Sequence, residues 1–91
     1  MAKKIVKYNP KSIEKLPNDK PALYKIKTDK GNLNYVGVAK RGRVQERIAE
    51  HIGDIPGAKV EIEQFPSIDA AINKEGNVIK RNQPKYNEQG K

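Results

Sequence analysis

The sequence predicts a single small domain that combines β-strands with α-helices. Three observations carry this prediction: two alternating runs flank a turn at 28–32, a third alternating run spans 59–65, and two segments, one on each side of that third run, repeat apolar residues with a helical period. A chain of 91 residues has room for one domain with a small core. We expect a partly extended N-terminal lead-in over residues 1–20, followed by the folded domain over residues 21–91.

The lead-in is interrupted by proline. Pro10, Pro17 and Pro21 each remove a backbone donor and restrict the preceding residue. The sequence therefore predicts a loosely packed segment with at most one helical turn, around residues 11–15.

A β-hairpin is predicted directly after the lead-in. Ala22, Tyr24 and Ile26 alternate with other residues, turn-forming residues occupy 28–32, and a second run follows over 33–38. With an even number of loop residues, Tyr24 and Tyr35 project from the same face of the hairpin, whereas an odd number separates them.

A helix is predicted over 43–52, where Val44, Ile48 and Ile52 recur every four residues. Arg47 and His51 lie inside or at the edge of this apolar stripe, one turn apart. Gly53 is expected to end the helix.

A third strand and a second helix complete the expected elements. Val60 and Ile62 alternate with glutamates, and Ser67 is placed to cap a helix with apolar positions at Ile68, Ala71, Ile72 and Ile79. Glu75 falls in the middle of this apolar face, so its carboxylate is expected to be paired, protonated or bound to a cation. Gly76 weakens the helix beside it, and a bend there would move Glu75 off the stripe.

Charge and composition narrow the functional classes. Nineteen basic against eleven acidic residues give a net charge of +8, which favours a polyanionic partner, nucleic acid ahead of an anionic membrane. With no cysteine and one histidine, disulfide frameworks, thiol catalysis and Cys- or His-cluster metal sites are excluded. Neither a membrane-spanning run nor the apolar core of a signal peptide occurs, so we expect a soluble protein of the cytoplasm, the nucleoid or the nucleus, without membrane binding.

Each candidate residue also has an ordinary structural interpretation. A strand tyrosine is usually a core residue, Arg47 alone fits a solvated surface, His51 alone fits a satisfied core edge, and Glu75 alone fits an ion pair with an arginine.

The order and spacing of these residues resemble the GIY-YIG nuclease family. Ala22-Leu23-Tyr24 stands where that family has Gly-Ile-Tyr, and Tyr35-Val36-Gly37 stands where it has Tyr-Ile-Gly. Downstream, the Arg47-x-x-x-His51 pair is followed by Glu75-x-x-x-Ile79-x-x-x-x-Pro84-x-x-Asn87. Two departures are the alanine that begins the first triplet and Val38, where some members carry a lysine; Lys40 and Arg43 are the candidates to supply that charge.

The resemblance implies an α+β fold with a three-stranded antiparallel sheet flanked by helices. It also implies a metal-dependent endonuclease that hydrolyses DNA phosphodiester bonds, in DNA repair, defence or mobile-element processing. Tyr24 would activate or orient the attacking water, with Tyr35 assisting. Arg47, together with Lys40, would lower the pKa of the phenol and neutralise the phosphate, and His51 would accept a proton or orient the tyrosine.

Glu75 would be the ligand of one Mg²⁺ or Mn²⁺ ion, since magnesium prefers oxygen ligands and keeps most of its waters. Gly37 and Asn87 would support the site. Phosphate contacts are expected from the basic residues Lys25, Lys27, Lys30, Arg41, Arg43, Lys80, Arg81 and Lys85.

Two other functions fit the same residues: a non-catalytic nucleic-acid-binding module, and a small basic structural protein associated with RNA. DNA is the expected partner, with RNA as the alternative, and targeting is expected from a protein partner or from self-association.

Overall fold

The computed structural model describes residues 3–82 and has an antiparallel sheet with helices on both faces. The strands are β1 (Lys3–Lys7), β2 (Ala22–Lys27), β3 (Leu33–Ala39) and β4 (Lys59–Gln64), in the sheet order β1-β4-β2-β3. The helices are α1 (Pro10–Ile13), α2 (Val44–Ala49) and α3 (Ile68–Asn82). The α+β class is confirmed, but the sheet has four strands where three were expected.

The additional strand is β1, which comes from the expected lead-in. It pairs with β4 from Lys3↔Glu63 to Lys7↔Lys59 and forms one edge of the sheet. Its sequence hides it, because an edge strand exposes most of its side chains and lysines there discourage pairing with other molecules. Ile5 is 61% exposed, so the alternation that marks a buried strand is missing.

The rest of the lead-in is also packed rather than loose. Asn9 caps α1, its side-chain oxygen accepting a hydrogen bond from the Ser12 amide at 2.8 Å, and the helix begins at Pro10. Ile13 and Leu16 then insert into the core. Three prolines therefore shape this segment without preventing it from packing.

The hairpin of β2 and β3 has the register that the same-face arrangement requires. Tyr24 is opposite Gly37 and Ile26 is opposite Tyr35, before a bulge between Ile26 and Lys27 shifts the pairing. Directly opposite residues share a face, and so do residues two apart on one strand. Tyr24 and Tyr35 therefore lie on one face of the sheet.

The first predicted helix is shorter than expected. α2 covers six residues, and its Gln45 amide donates to the Asn18 side chain at 3.2 Å, so a residue of the N-terminal segment caps it. After Ala49 the chain continues in tight turns, with the His51 amide bonded to the Ile48 carbonyl at 3.1 Å. The helix therefore ends four residues before Gly53, which was expected to end it and which, at φ 97°, lies in the turns that follow.

The last helix begins at the predicted cap, where the Ser67 hydroxyl accepts a hydrogen bond from the Ala70 amide at 3.2 Å. It continues through Gly76 without interruption for 15 residues. Its buried side chains are Ala71 and Val78, while Ile72 is 50% exposed. The buried face of the helix is thus rotated away from Ile72, because the side that carries Ala71 and Val78 packs against the sheet.

The alternation of the strands divides the core into two clusters. Tyr24 and Ile26 pack on one face with residues of α1 and α2, whereas Leu23 and Val36 pack on the other face under α3. Within residues 3–82, no helix is long and apolar enough to cross a membrane.

Candidate active site

The two tyrosines and Gly37 form a tightly fitted group on the β2–β3 hairpin. The Tyr24 side chain is fully buried, at 0% exposure, and its ring centre lies 6.1 Å from that of Tyr35. A Cβ atom on Gly37 would lie 2.6 Å from both the Cζ and the hydroxyl oxygen of Tyr24, and 3.0 Å from Tyr35. Glycine at this position therefore has a packing reason, since any side chain would displace a ring.

His51 completes this group from the turn after α2. Its Nε2 lies 2.7 Å from the Tyr24 hydroxyl oxygen, and its ring centre is 4.6 Å from that of Tyr35. Burial, followed by the Arg47 guanidinium, holds the pKa of His51 below its ordinary value of 6.5. The ring is therefore neutral at neutral pH, and Nε2 can accept the hydrogen bond that the Tyr24 hydroxyl donates.

Tyr24 is more weakly acidic than an ordinary phenol. Burial and the neighbouring Tyr35 raise its pKa above the ordinary value of 10.0, although Arg47 acts in the opposite direction. Arg47 lowers this pKa, as expected of a nearby cation, but desolvation outweighs the single guanidinium and the net shift is upward. Tyr24 is accordingly protonated and can donate its hydroxyl hydrogen to His51.

Both tyrosines border a cavity of about 430 Å³ that lies along β3, between α2 and α3. Lys40, Arg43 and Arg47 line it on the α2 side, and Glu75 lines it on the α3 side. Arg43, just before α2, is paired with Glu46, and Arg47 on α2 is 4.0 Å from Glu50; all four side chains are about half exposed. The cavity thus brings phenols, cations and one carboxylate together.

Glu75 is half-buried, and burial raises the pKa of its carboxyl group. Within residues 3–82 the structure shows no hydrogen bond or ion pair to this carboxylate, so an ion pair with an arginine, one of the alternatives for Glu75, is not found there. The helix is unbroken at Gly76 and keeps Glu75 on the side that borders the cavity.

The donor set of the cavity suits a hydrated magnesium ion better than a cage. The described part of the chain contains no group of three or more His, Cys, Asp or Glu side chains that could hold a metal. Glu75 provides a desolvated oxygen donor next to open space, and magnesium binds through one or two carboxylates plus waters and substrate phosphate. The residues present therefore fit this type of ion.

The remaining predicted residues are divided by the fold. Lys25 and Lys27 project from the face of the sheet opposite Tyr24, and Lys27 pairs with Glu61 at 2.8 Å. Exposed positions away from the cavity lining are occupied by Lys30, Arg41, Lys80 and Arg81. Lys85 and Asn87 lie outside the described residues.

Sequence reasoning missed the apolar side of the cavity. Val38, Ile68 and Ile72 also line it, although Ile68 and Ile72 were expected in the core. Val78 was not among the expected apolar positions; had it set the centre of the helical face together with Ala71, Ile72 would have fallen at the edge.

Comparisons at the sequence level find no protein-family model that matches and no significant match among curated proteins. The structure does match solved structures. The magnesium-bound GIY-YIG N-terminal endonuclease domain of UvrC from Thermotoga maritima superposes with a TM-score of 0.65 and 27% sequence identity, over 81% of this chain and 93% of that chain. The chain has the GIY-YIG fold.

Two point mutants of the same domain agree with this result. In each of them a tyrosine is replaced by phenylalanine and the catalytic divalent cation is bound; they match with TM-scores of 0.63 and identities of 25% and 29%. Each comparison covers 81% of this chain and 92% of the other. These neighbours are GIY-YIG endonuclease domains, so the architecture is that of a nuclease.

Proposed function

We propose that this chain is a magnesium-dependent endonuclease that hydrolyses phosphodiester bonds of DNA. One observation carries the proposal. A single cavity on a GIY-YIG fold is bordered by two phenols, by the cations Lys40, Arg43 and Arg47, and by Glu75, which has no ion pair within residues 3–82.

The cationic side would hold the scissile phosphate. Charge on the phosphate oxygens grows in the transition state, and guanidinium groups aimed at them stabilise it by several kcal/mol. Arg47 on α2 and Arg43 just before it are exposed, so they can reach a phosphate in the cavity at the cost of weak surface ion pairs.

The tyrosines and His51 would manage the attacking water and its proton. Tyr35 is half-buried and Tyr24 is buried, and both border the cavity, so a water there would meet the more exposed phenol of Tyr35. A phenol oxygen can accept a hydrogen bond from that water while Tyr24 donates its own proton toward His51 Nε2, 2.7 Å away. Because His51 is neutral, it can take up the proton that the water loses.

Glu75 would hold the divalent cation, which when bound supplies charge stabilisation at the phosphate oxygens. The tyrosine-to-phenylalanine forms of the neighbouring domain still bind their cation, which supports a carboxylate rather than a phenol as the main protein ligand here. Manganese is the expected substitute for magnesium.

Nicking of supercoiled plasmid by the pure protein tests the proposal. With Mg²⁺ or Mn²⁺ present, we expect nicking by wild type, a loss of at least about a hundredfold in Tyr24→Phe, and a comparable or larger loss in Glu75→Gln. Glu14→Gln, an exposed acid outside the cavity lining, is the matched control and should nick like wild type.

Two outcomes would replace the proposal with another function. Wild type that retards DNA on a gel but never nicks it would be a non-catalytic nucleic-acid-binding module. Binding of RNA well above DNA, unaffected by Glu75→Gln, would indicate an RNA-associated structural protein. A place in DNA repair, defence or mobile-element processing, and targeting by a partner or by self-association, stay predictions.

A further inference from the structure

The α3 side of the cavity carries apolar side chains that phosphate chemistry does not require. Val38, Ile68 and Ile72, here called the apolar wall, line the same cavity as Glu75. Ile72 lies three residues before Glu75 on α3, so the two side chains are neighbours on the helix surface. Apolar and ionic groups therefore share one opening.

Ile72 is exposed although its immediate neighbour on the same helix, Ala71, is buried. Its side chain is 50% exposed, while Ala71 and Val78 of the same helix are buried. Burying an isoleucine side chain stabilises a fold, and the half-exposed Ile72 forgoes part of that stabilisation. Within residues 3–82 nothing covers its exposed half, which leaves apolar surface open beside the cationic side of the cavity.

The two sides of the cavity match the two parts of a nucleotide. Lys40, Arg43 and Arg47 on the α2 side attract phosphate. In DNA the ester oxygen of each phosphate is bonded to the sugar of a nucleoside, so a bound phosphate brings a nucleoside with it. Sugar and base edges offer apolar surface that isoleucine can contact. A volume of about 430 Å³ lies within the usual range of ligand sites.

We propose that the apolar wall seats the nucleoside next to the phosphate held by the cationic side, and that Ile72 is the main contact of that nucleoside. This inference rests on DNA as the ligand of the proposed function, but not on catalysis. Ile72 is then a positioning residue, which holds the strand in register without touching the reacting atoms.

DNA binding measured in EDTA tests the nucleoside contact of the apolar wall separately from catalysis. The two probes are oligo(dT) and an oligomer of propanediol phosphate with the same number of phosphates, which lacks both sugar and base. We expect Ile72→Asn to weaken oligo(dT) binding about tenfold, as loss of roughly one apolar contact would. Binding of the propanediol oligomer should change less than about twofold, because its phosphate contacts are intact.

Three further variants and measurements sharpen the result. Ile72→Leu keeps an apolar side chain and should bind oligo(dT) like wild type. Ile5→Asn is the matched control, since Ile5 is the other large exposed hydrophobic of the described chain and lies on β1, outside this cavity. Asparagine and isoleucine have similar helix propensities, so Ile72→Asn should melt within a few degrees of wild type.

Several outcomes would refute the proposed contact between the apolar wall and a nucleoside. One is equal weakening of both probes by Ile72→Asn, and another is no weakening of either. A third is a wild-type dimer that Ile72→Asn dissociates without any change in DNA binding, which would make a second copy the occupant. If wild type fails to nick plasmid while the probe-specific loss is observed, the nuclease proposal fails and the proposed contact stands.

Discussion

Replacing Gly37 with alanine tests whether the two tyrosines can lie side by side only because position 37 has no side chain. The added Cβ would be 2.6 Å from the Cζ and hydroxyl oxygen of Tyr24. Non-bonded carbon atoms prefer about 3.5–4.0 Å, so the ring would have to move by roughly 1 Å. Tyr24 is fully buried and bonded to His51 at 2.7 Å, so that movement disturbs both packing and the hydrogen bond.

The expected cost follows from these two contributions. Overpacking of a well-filled core costs about 1–3 kcal/mol, and a lost hydrogen bond adds about 0.5–1.5 kcal/mol. The free energy of unfolding should therefore fall by about 2–4 kcal/mol. At about 4–8 °C per kcal/mol for a domain of this size, Tm should drop by at least about 8 °C.

Gly76→Ala is the matched control for this substitution. A Cβ at Gly76 would meet no atom within 4 Å, and the position lies inside α3. Alanine there should raise the free energy of unfolding by about 0.5–1 kcal/mol. Urea and thermal unfolding followed by circular dichroism measure both variants. A Gly37→Ala protein that melts within about 2 °C of wild type would refute the close packing around Tyr24.

Three other predictions concern pH, the cavity acid and the N-terminal segment. Because burial and Arg47 lower the pKa of His51, the folded state favours its neutral form. The free energy of unfolding, and with it Tm, should therefore fall as pH drops below 6.5. His51→Gln should flatten that part of a plot of Tm against pH. Because burial raises the pKa of Glu75, its charged form lowers the free energy of unfolding at pH 7. Without Mg²⁺, Glu75→Gln should therefore melt at a higher temperature than wild type, and it should lose any rise in Tm that Mg²⁺ produces in wild type. An unchanged Mg²⁺ response in Glu75→Gln would place the ion elsewhere. Leu16→Ala should cost about 2–5 kcal/mol in urea unfolding, whereas Ile5→Ala should cost under about 0.5 kcal/mol; equal costs would mean that Leu16 is not in the core.

The sequence predicted the elements that have a strong period and a clear stop. The hairpin, the third alternating run and the Ser67 cap are all found where expected, because alternation and capping are local properties of the chain. The same-face arrangement of Tyr24 and Tyr35 depended on the parity of the loop, which the register resolved as a regular pairing followed by a bulge.

What could not be predicted depends on packing between distant segments. β1 exposes most of its side chains, so its membership of the sheet appears only through pairing with β4, more than fifty residues later. Ile72 belongs to the cavity rather than the core because the position of α3 is set by Leu23 and Val36 beneath it. Likewise, the pKa of Tyr24 reflects a balance between burial and Arg47 that depends on how these residues are arranged in the folded protein.

The N-terminal strand has a practical consequence for anyone who shortens this chain. A fragment that begins at Pro21 would remove β1, one of the two neighbours of β4, along five paired positions and would remove Ile13 and Leu16 from the interior. The bared backbone of β4 would then offer a ready template for intermolecular strand addition, and such a fragment should precipitate or form mixed oligomers. A truncation chosen from the sequence motifs alone would thus keep both triplets, 22–24 and 35–37, and still unfold or aggregate the protein.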